Sequence, residues 1–320
     1  MENFDTEEQQ NREPGILPKP VLVQDKQNWV RKSLISLAIY GFLFYVVFDL
    51  DFIYIAAVLL VLLIHEFGHF FAMKAFNYTN VKLFVLPLLG AYVTGKKSTI
   101  SQRQMSMVIL AGPVPGIIIG FILLMYNLYF PNARIEMLGN IFLVLNLFNL
   151  LPFIPLDGGR LLEALFVNHN HIIRVVFTII SIVSILCLAI ILKSVFFLII
   201  PASMIFDLIM EIKNHKIREY LKQENINYIC DYSELPDTDY WIIRDCIILS
   251  FNKRYAGIQA GVRQYSVAEA GLIQHVSSVL KTPVIKDLKW FGKTLTMVFY
   301  LFVFIGIPLI YLLAKHTSLI

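Results

Sequence analysis

Apolar residues run almost unbroken through seven segments of the chain, at about 33–49, 52–73, 105–129, 138–165, 172–192, 195–211 and 294–314. At 1.5 Å of rise per helical residue, runs of this length match the hydrocarbon thickness of a bilayer, and each is expected to be a transmembrane helix. Two polar stretches interrupt the pattern. Residues 1–32 are rich in Glu, Gln and Asn, are broken by Pro14, Pro18 and Pro20, and contain no apolar core of a signal peptide, so a flexible tail is expected. Residues 212–293 are charged and partly periodic. The fifth and sixth spans are joined only by Lys193 and Ser194.

The 212–293 stretch reads as a small α+β domain between the sixth span and a C-terminal transmembrane helix at 294–320. Glu211–Gln223 resembles a helix leaving the membrane. Trp241–Phe251 is β-branched and apolar enough for a strand. Ser266-Val-Ala-Glu269 has the form of a capping box, followed by Leu272, Ile273, Val276, Val279 and Leu280 at helical spacing up to Pro283. Such a domain could dock a substrate, gate access, bind a regulator or simply space two spans.

Composition agrees with the hydropathy pattern: 57% of residues are hydrophobic, 16% are charged and the mean hydropathy is +0.67, which excludes an ordinary soluble domain. A net charge of +4 gives no reason to expect a nucleic-acid partner. Where the charges fall is more informative. Lys19, Lys26, Arg31 and Lys32 precede the first span, and Lys74, Lys82, Lys96, Lys97 and Arg103 follow the second. The positive-inside rule puts the N-terminus and the 212–293 domain in the cytoplasm, in a cell (inner) membrane. Cys187, Cys230 and Cys246 form no CxxC pair and no even framework, so reduced thiols are expected.

The chemistry is concentrated in the second span, which contains His65-Glu66-Phe67-Gly68-His69. On a helix, His65 and His69 share a face and can reach one metal ion, and Glu66 beside them is free to take a proton from water that the metal activates. Three ionisable side chains in hydrocarbon are costly and argue for function over two interfacial histidines and a paired glutamate. A third ligand is sought in Asn149-Leu-Leu-Pro-Phe-Ile-Pro-Leu-Asp157-Gly158-Gly159-Arg160. Pro152, Pro155 and the two glycines break any helix there, and broken backbone at membrane depth is tolerated where protein buries it or water reaches it. Asp157 is then either a metal ligand lining a wet cleft or the cap of the helix that restarts at Leu161. Two imidazoles, a carboxylate and an open position favour zinc, one per chain.

HEFGH in one span and NLLPFIPLDGGR about ninety residues later resemble the site-2 protease family of intramembrane zinc metalloproteases. Leu86-Pro-Leu-Leu-Gly90-Ala-Tyr92 resembles that family's membrane-associated strand region, and Ala111-Gly112-Pro113 its third core helix. The resemblance covers about 50–165. It implies a multi-span α-helical membrane protein with a zinc site between transmembrane helices and a catalytic core at 50–165, inside the transmembrane domain that the apolar pattern places at 33–211. It implies His65, His69 and Asp157 as zinc ligands, Glu66 as general base and Asn149 as a hydrogen-bond donor to the scissile carbonyl. The substrates it implies are membrane-anchored proteins or signal-peptide remnants, cut within the lipid bilayer after local unwinding, by strand addition near Lys82–Tyr92.

A metal-binding transporter or scaffold is the rival reading. The chain has no paired acidic residues on several spans and no internal repeat, and it keeps a glutamate that binding alone does not need. A soluble zincin is excluded by the flanking spans. Asn146 is the better candidate for an interhelical amide contact. His169 and His171 read as interfacial, Glu163 as either support for the site or an interfacial residue, and Asp207 and Lys193 as span-end groups. Trp290 with Lys286, Lys289 and Lys293 reads as an anchor for the last span.

Overall fold

The structure is a computed structural model, and it describes residues 17–21, 29–48, 51–86, 90–167, 171–191, 193 and 198–318. The chain divides into two compact units, Gln27–Phe206 with Val284–Ile320, and Met1–Lys26 with Asp207–Pro283.

In the larger unit, α1 (Trp29–Phe48) and α2 (Phe52–Ala75) lead into an antiparallel hairpin of β1 (Thr79–Leu86) and β2 (Gly90–Lys96), with Leu83 opposite Val93 and Phe84 opposite Tyr92. The outer side of β1 is covered by α1, whose buried Ser33 hydroxyl donates to the Leu83 carbonyl. This hairpin occupies the expected strand region, of which residues 87–89 lie outside the described residues. The short strand β3 (Ile100–Ser101) precedes α3 (Gln102–Ala111), and α4 (Pro113–Tyr129) follows after Gly112. α5 (Ala133–Asn149) ends in a loop over Leu150–Leu156. Beyond it, α6 (Asp157–Leu162) passes into a π-helical turn at Glu163–Val167 and then α7 (His171–Ile191). The span expected over 138–165 is therefore broken where its prolines and glycines lie.

After the smaller unit the chain returns as β4 (Val284–Ile285), which pairs in parallel with β3. The final rod is α11 (Trp290–Leu301), a π-helical turn (Phe302–Gly306) and α12 (Ile307–Ser318). Asp287 ties the start of this rod to α3: it accepts the Ser101 hydroxyl and the Arg103 amide, while Ser101 Oγ caps the α3 N-terminus through the Gln104 amide. Four rods among the described residues are long and apolar enough to cross a membrane: Phe52–Ala75, Gln102–Tyr129, His171–Ile191 and Trp290–Thr317. They correspond to the second, third, fifth and seventh of the expected spans. Trp290 is exposed, as an interfacial anchor requires.

In the smaller unit, α8 (Ile199–Gln223) runs in from the larger unit, and α9 (Asp237–Ser250) and α10 (Glu269–Val279) pack together. The strand expected at Trp241–Phe251 is a helix; among the described residues 212–293, where an α+β domain was expected, β4 is the strand. Tyr240, Ile243, Arg244, Ile247 and Ile248 are buried at i, i+3, i+4, i+7 and i+8, a helical period that the β-branched composition obscures. Asp237 and Asp239 in the first turn favour the same outcome through the helix dipole. At the other end of α10, the buried Arg218 of α8 donates to the Val279 carbonyl at 2.8 Å and the Ser278 carbonyl at 3.0 Å, and so closes the helix C-terminus. Glu269 reaches back to the Ser266 amide at 2.9 Å, the carboxylate half of the expected capping box. Residues 17–21, expected to be flexible, lie against this unit. The rest of the tail, 1–16 and 22–28, lies outside the described residues.

Candidate metal centre

His65 and His69 sit one turn apart on the face of α2 that packs against α3, α4 and α5, and both are buried. Asp157 comes from a distant part of the chain, as the first residue of α6. No side chain caps that helix. The Asp157 carboxylate is directed at the two imidazoles, with Oδ2 3.1 Å from His65 Nε2 and 3.2 Å from His69 Nε2. The cap reading of Asp157 is thereby set aside.

The loop that delivers Asp157 is held at its carbonyls and amides. Tyr300 donates to the Leu150 carbonyl at 2.7 Å, and the Ile154 amide donates to Ser181 Oγ at 3.1 Å. Pro152 and Pro155 lack amide donors, so neither leaves an unpaired N–H in this apolar setting. The loop then folds tightly onto the start of α6. A Cβ at Gly158 would lie 2.1 Å from the Leu150 carbonyl oxygen, and one at Gly159 2.2 Å from the Phe153 carbonyl carbon. The same absence of side chains brings α3 and α4 onto α2. A Cβ at Gly68 would meet the Ala111 carbonyl oxygen at 1.9 Å, and one at Gly112 would meet His69 Nε2 at 2.3 Å.

Hydrogen bonding determines which imidazole nitrogens carry lone pairs toward the centre. His65 Nδ1 is 2.8 Å from Asn146 Oδ1, whose own amide donates to the Phe142 carbonyl at 2.7 Å. His69 Nδ1 is 2.8 Å from the Val108 carbonyl. Both partners are acceptors, so Nδ1–H is the donor in each ring and each neutral ring presents a bare Nε2. Those two nitrogens, 3.2 Å apart, and the Asp157 oxygen form a triangle of acceptors with no proton between them. Such a cluster calls for a cation. The three atoms lie 3.1–3.2 Å from one another, close enough for one ion to be held by all three, and two imidazole nitrogens with a carboxylate oxygen are a donor set that would suit zinc. The group is consistent with a zinc site. Glu66 is buried on the same helix, and its Oε2 has no hydrogen-bond partner.

The other candidates that are described are not among the three residues of this cluster. Asn149, at the end of α5, donates to the Leu145 carbonyl at 3.2 Å. Glu163 pairs with Arg174 of α7 at 2.8 Å. His171 opens α7 outside the cluster, and His169 lies outside the described residues. The part played by Asn146 is more specific than its sequence position conveys, since an interhelical amide contact was expected but not its partner. The Val108 carbonyl had no sequence signal at all.

An apolar groove of about 1290 Å³ lies alongside α2 at Gly68, lined by Gly68, Ala111 and Val114 on one side and by Leu288, Leu295 and Phe299 on the other, with His65, Glu66, His69 and Asp157 outside its lining.

Residues 53–135 match the model of peptidase family M50. That segment is similar to peptidase family M50. The M50 match takes in His65, Glu66 and His69 and ends before Asn149 and Asp157. The resemblance to site-2 proteases read from the two motifs agrees with it. Over 119 residues the chain is 32% identical to a zinc metalloprotease of Methanocaldococcus jannaschii, covering 34% of each chain. Over 110 residues it is 33% identical to stage IV sporulation protein FB of Bacillus subtilis, covering 34% of this chain and 38% of that one. The alignments thus span about a third of the length of these relatives. A solved site-2 protease from Methanocaldococcus jannaschii aligns at 21% identity with a TM-score of 0.41, over 55% of this chain and 86% of that one. Together with the four membrane-capable rods, the M50 segment marks a membrane protein.

Proposed function

We propose that the chain is an intramembrane zinc metalloprotease that hydrolyses peptide bonds in membrane-anchored proteins. The observation that carries this reading is the triangle of His65 Nε2, His69 Nε2 and Asp157 Oδ2, three bare acceptors drawn from two distant segments and buried beside an unpartnered glutamate.

His65, His69 and Asp157 would hold the ion. When bound, zinc supplies Lewis acidity, which makes water a better acid and a carbonyl a better electrophile. Glu66 takes the proton of the attacking water and returns it to the leaving amine, a task that suits a carboxylate not engaged by any other group. Asn149 turns its amide from the Leu145 carbonyl to the scissile carbonyl of the substrate. The apolar groove beside Gly68 supports an apolar substrate segment. β2, paired only with β1 among the described residues, supports its capture as an added strand.

Metal analysis and cleavage of a membrane-anchored model substrate, in detergent or liposomes, test the reading. Glu66→Gln should keep about one zinc per chain and lose cleavage by about 10²–10⁴-fold. His65→Ala and Asp157→Ala should lose the zinc. Cleavage by Glu66→Gln at the wild-type rate would remove the proposed base. Bound zinc with no turnover of any membrane-anchored substrate would favour the binding or transport reading.

A further inference from the structure

The segment Leu17-Pro18-Lys19-Pro20-Val21 is bound to the smaller unit in the way a ligand is bound. Proline fixes its own φ near −65° and drives the residue before it into extended backbone. Pro18 and Pro20 therefore commit Leu17–Pro20 to a polyproline-type strand whose prolines offer carbonyls and no amides. Side-chain donors of the unit take up those carbonyls. Trp241 Nε1 donates to the Leu17 carbonyl at 2.7 Å, the Tyr265 hydroxyl to Pro18 at 2.6 Å and the Tyr232 hydroxyl to Pro20 at 2.8 Å. The one amide among residues 18–20, that of Lys19, donates to Asp237 Oδ1 at 2.9 Å. The Trp241 and Tyr265 rings stack at an interplanar angle of 18° and form an aromatic wall.

Lys19 is the anchor. Its ammonium donates to the carbonyls of Tyr232 and Ser233, each at 2.9 Å, and of Leu235, and it lies 5.5 Å from the centre of the Tyr232 ring. Three convergent carbonyls match the three donors of a primary ammonium and do not match the planar fork of a guanidinium. Only Lys19 and Pro20 are partly covered; Leu17 and Pro18 are exposed, and Val21 is 83% exposed. Among the described residues, the buried core of the unit is built from residues between Ile217 and Val279 and takes nothing from the segment. A strap that completed the fold would supply apolar surface to that core. This one supplies hydrogen-bond acceptors and one cation to a groove whose walls are already packed.

We propose that the Asp207–Pro283 unit is a recognition module for extended peptides of the Pro-Lys-Pro type, and that Leu17–Val21 is its ligand in cis. The inference does not depend on the proteolytic reading of the metal centre. A tethered ligand acts at an effective concentration of about millimolar, so a free peptide competes poorly until the tethered one is disabled. A protein segment with the same Pro-Lys-Pro chemistry then takes its place.

The test uses the full-length protein in detergent and a fluorescently labelled peptide with the sequence of residues 15–22. Fluorescence anisotropy should show the peptide binding the Lys19→Ala protein at least about tenfold more tightly than wild type. Replacing the lysine of the peptide by arginine or alanine should weaken binding to the Lys19→Ala protein by about tenfold or more, and so should adding Trp241→Phe to that protein. The unfolding midpoint of the Lys19→Ala protein should fall with the loss of the tethered ligand, and saturating free peptide should raise it again toward the wild-type value. No binding to a Lys19→Ala protein that still unfolds cooperatively would overturn the proposal. So would binding that ignores the lysine, or a lowered midpoint without peptide binding, which would make the segment a structural strap.

Discussion

Asn146 Oδ1 accepts the Nδ1–H of His65 at 2.8 Å, and the Asn146 amide is itself fixed by the Phe142 carbonyl at 2.7 Å. The second bond sets the first, because an amide that gives its N–H to its own helix must present oxygen to the imidazole. Asn146 thus selects the His65 tautomer that aims a lone pair at the centre of the site. Removal of this kind of support lowers metal affinity by about 10–100-fold. Asn146→Leu should lower zinc affinity by that factor in a chelator competition. Asn146→Asp, which keeps an acceptor at the same place, should retain more of it.

Gly112 carries a steric prediction. A Cβ there would stand 2.3 Å from His69 Nε2, inside any permitted contact, and the ring cannot retreat without leaving the Val108 carbonyl. Gly112→Ala should displace His69 and lower zinc content, read by metal analysis. Gly271, inside α10 with open space at its Cβ, is the matched control. Gly271→Ala should leave zinc unchanged and stabilise the smaller unit by about 0.5–1 kcal/mol, the usual helical preference for alanine.

These two positions show what the sequence could and could not convey. HEFGH is a local pattern, and the i, i+4 geometry of a helix turns it into a pair of donors without help from the rest of the fold. The break before Asp157 was equally legible, because proline and glycine act on the backbone where they stand. Asn146 and the Val108 carbonyl are partners by packing, 81 and 39 residues from the histidines they hold, and no spacing rule reaches that far. The error at Trp241–Phe251 has another origin. Its β-branched composition suggested a strand, but burial at 240, 243, 244, 247 and 248 follows the helical period, and tertiary packing outweighs intrinsic preference.

Glu269 gathers a buried network whose loss should be costly. It accepts the Tyr240 hydroxyl at 2.5 Å, Arg244 Nε at 3.0 Å and the Ser266 amide at 2.9 Å, while Arg244 is only 1% exposed. Glu269→Ala would leave the buried guanidinium with only the longer pairing to Asp245 at 3.8 Å, and breaking a buried pair costs up to about 3–5 kcal/mol. Hydrogen exchange of α9 and α10 in the intact protein should register a loss of that size. A double variant, Arg244→Met with Glu269→Leu, removes both charges and should recover most of it.

His275 gives the same unit a pH dependence of definite sign. Burial, reinforced by the nearby Arg254 and Lys213 charges, pushes its imidazole down to about 4. The ring packs 4.3 Å from Phe251, its Nδ1 lies 3.2 Å from the Tyr255 hydroxyl, and its Nε2 has no partner. An unfolded histidine titrates near 6.5, so between about pH 6.5 and 4 the unfolded chain binds a proton that the folded unit refuses. The folded unit therefore keeps its full stability above that window and loses it as the pH falls through it. Glu269 behaves separately. Burial raises its carboxyl, but the bonds from Tyr240, Arg244 and Ser266 outweigh burial and hold it below the ordinary value, so its contribution is lost only at more acid pH. Hydrogen exchange of α9 and α10 should show protection falling from pH 7 to pH 5. His275→Phe, which keeps the ring against Phe251 and cannot bind a proton, should abolish the decline above pH 5 and leave the Glu269-dependent decline below it. An unchanged slope in His275→Phe would assign the acid sensitivity to another group.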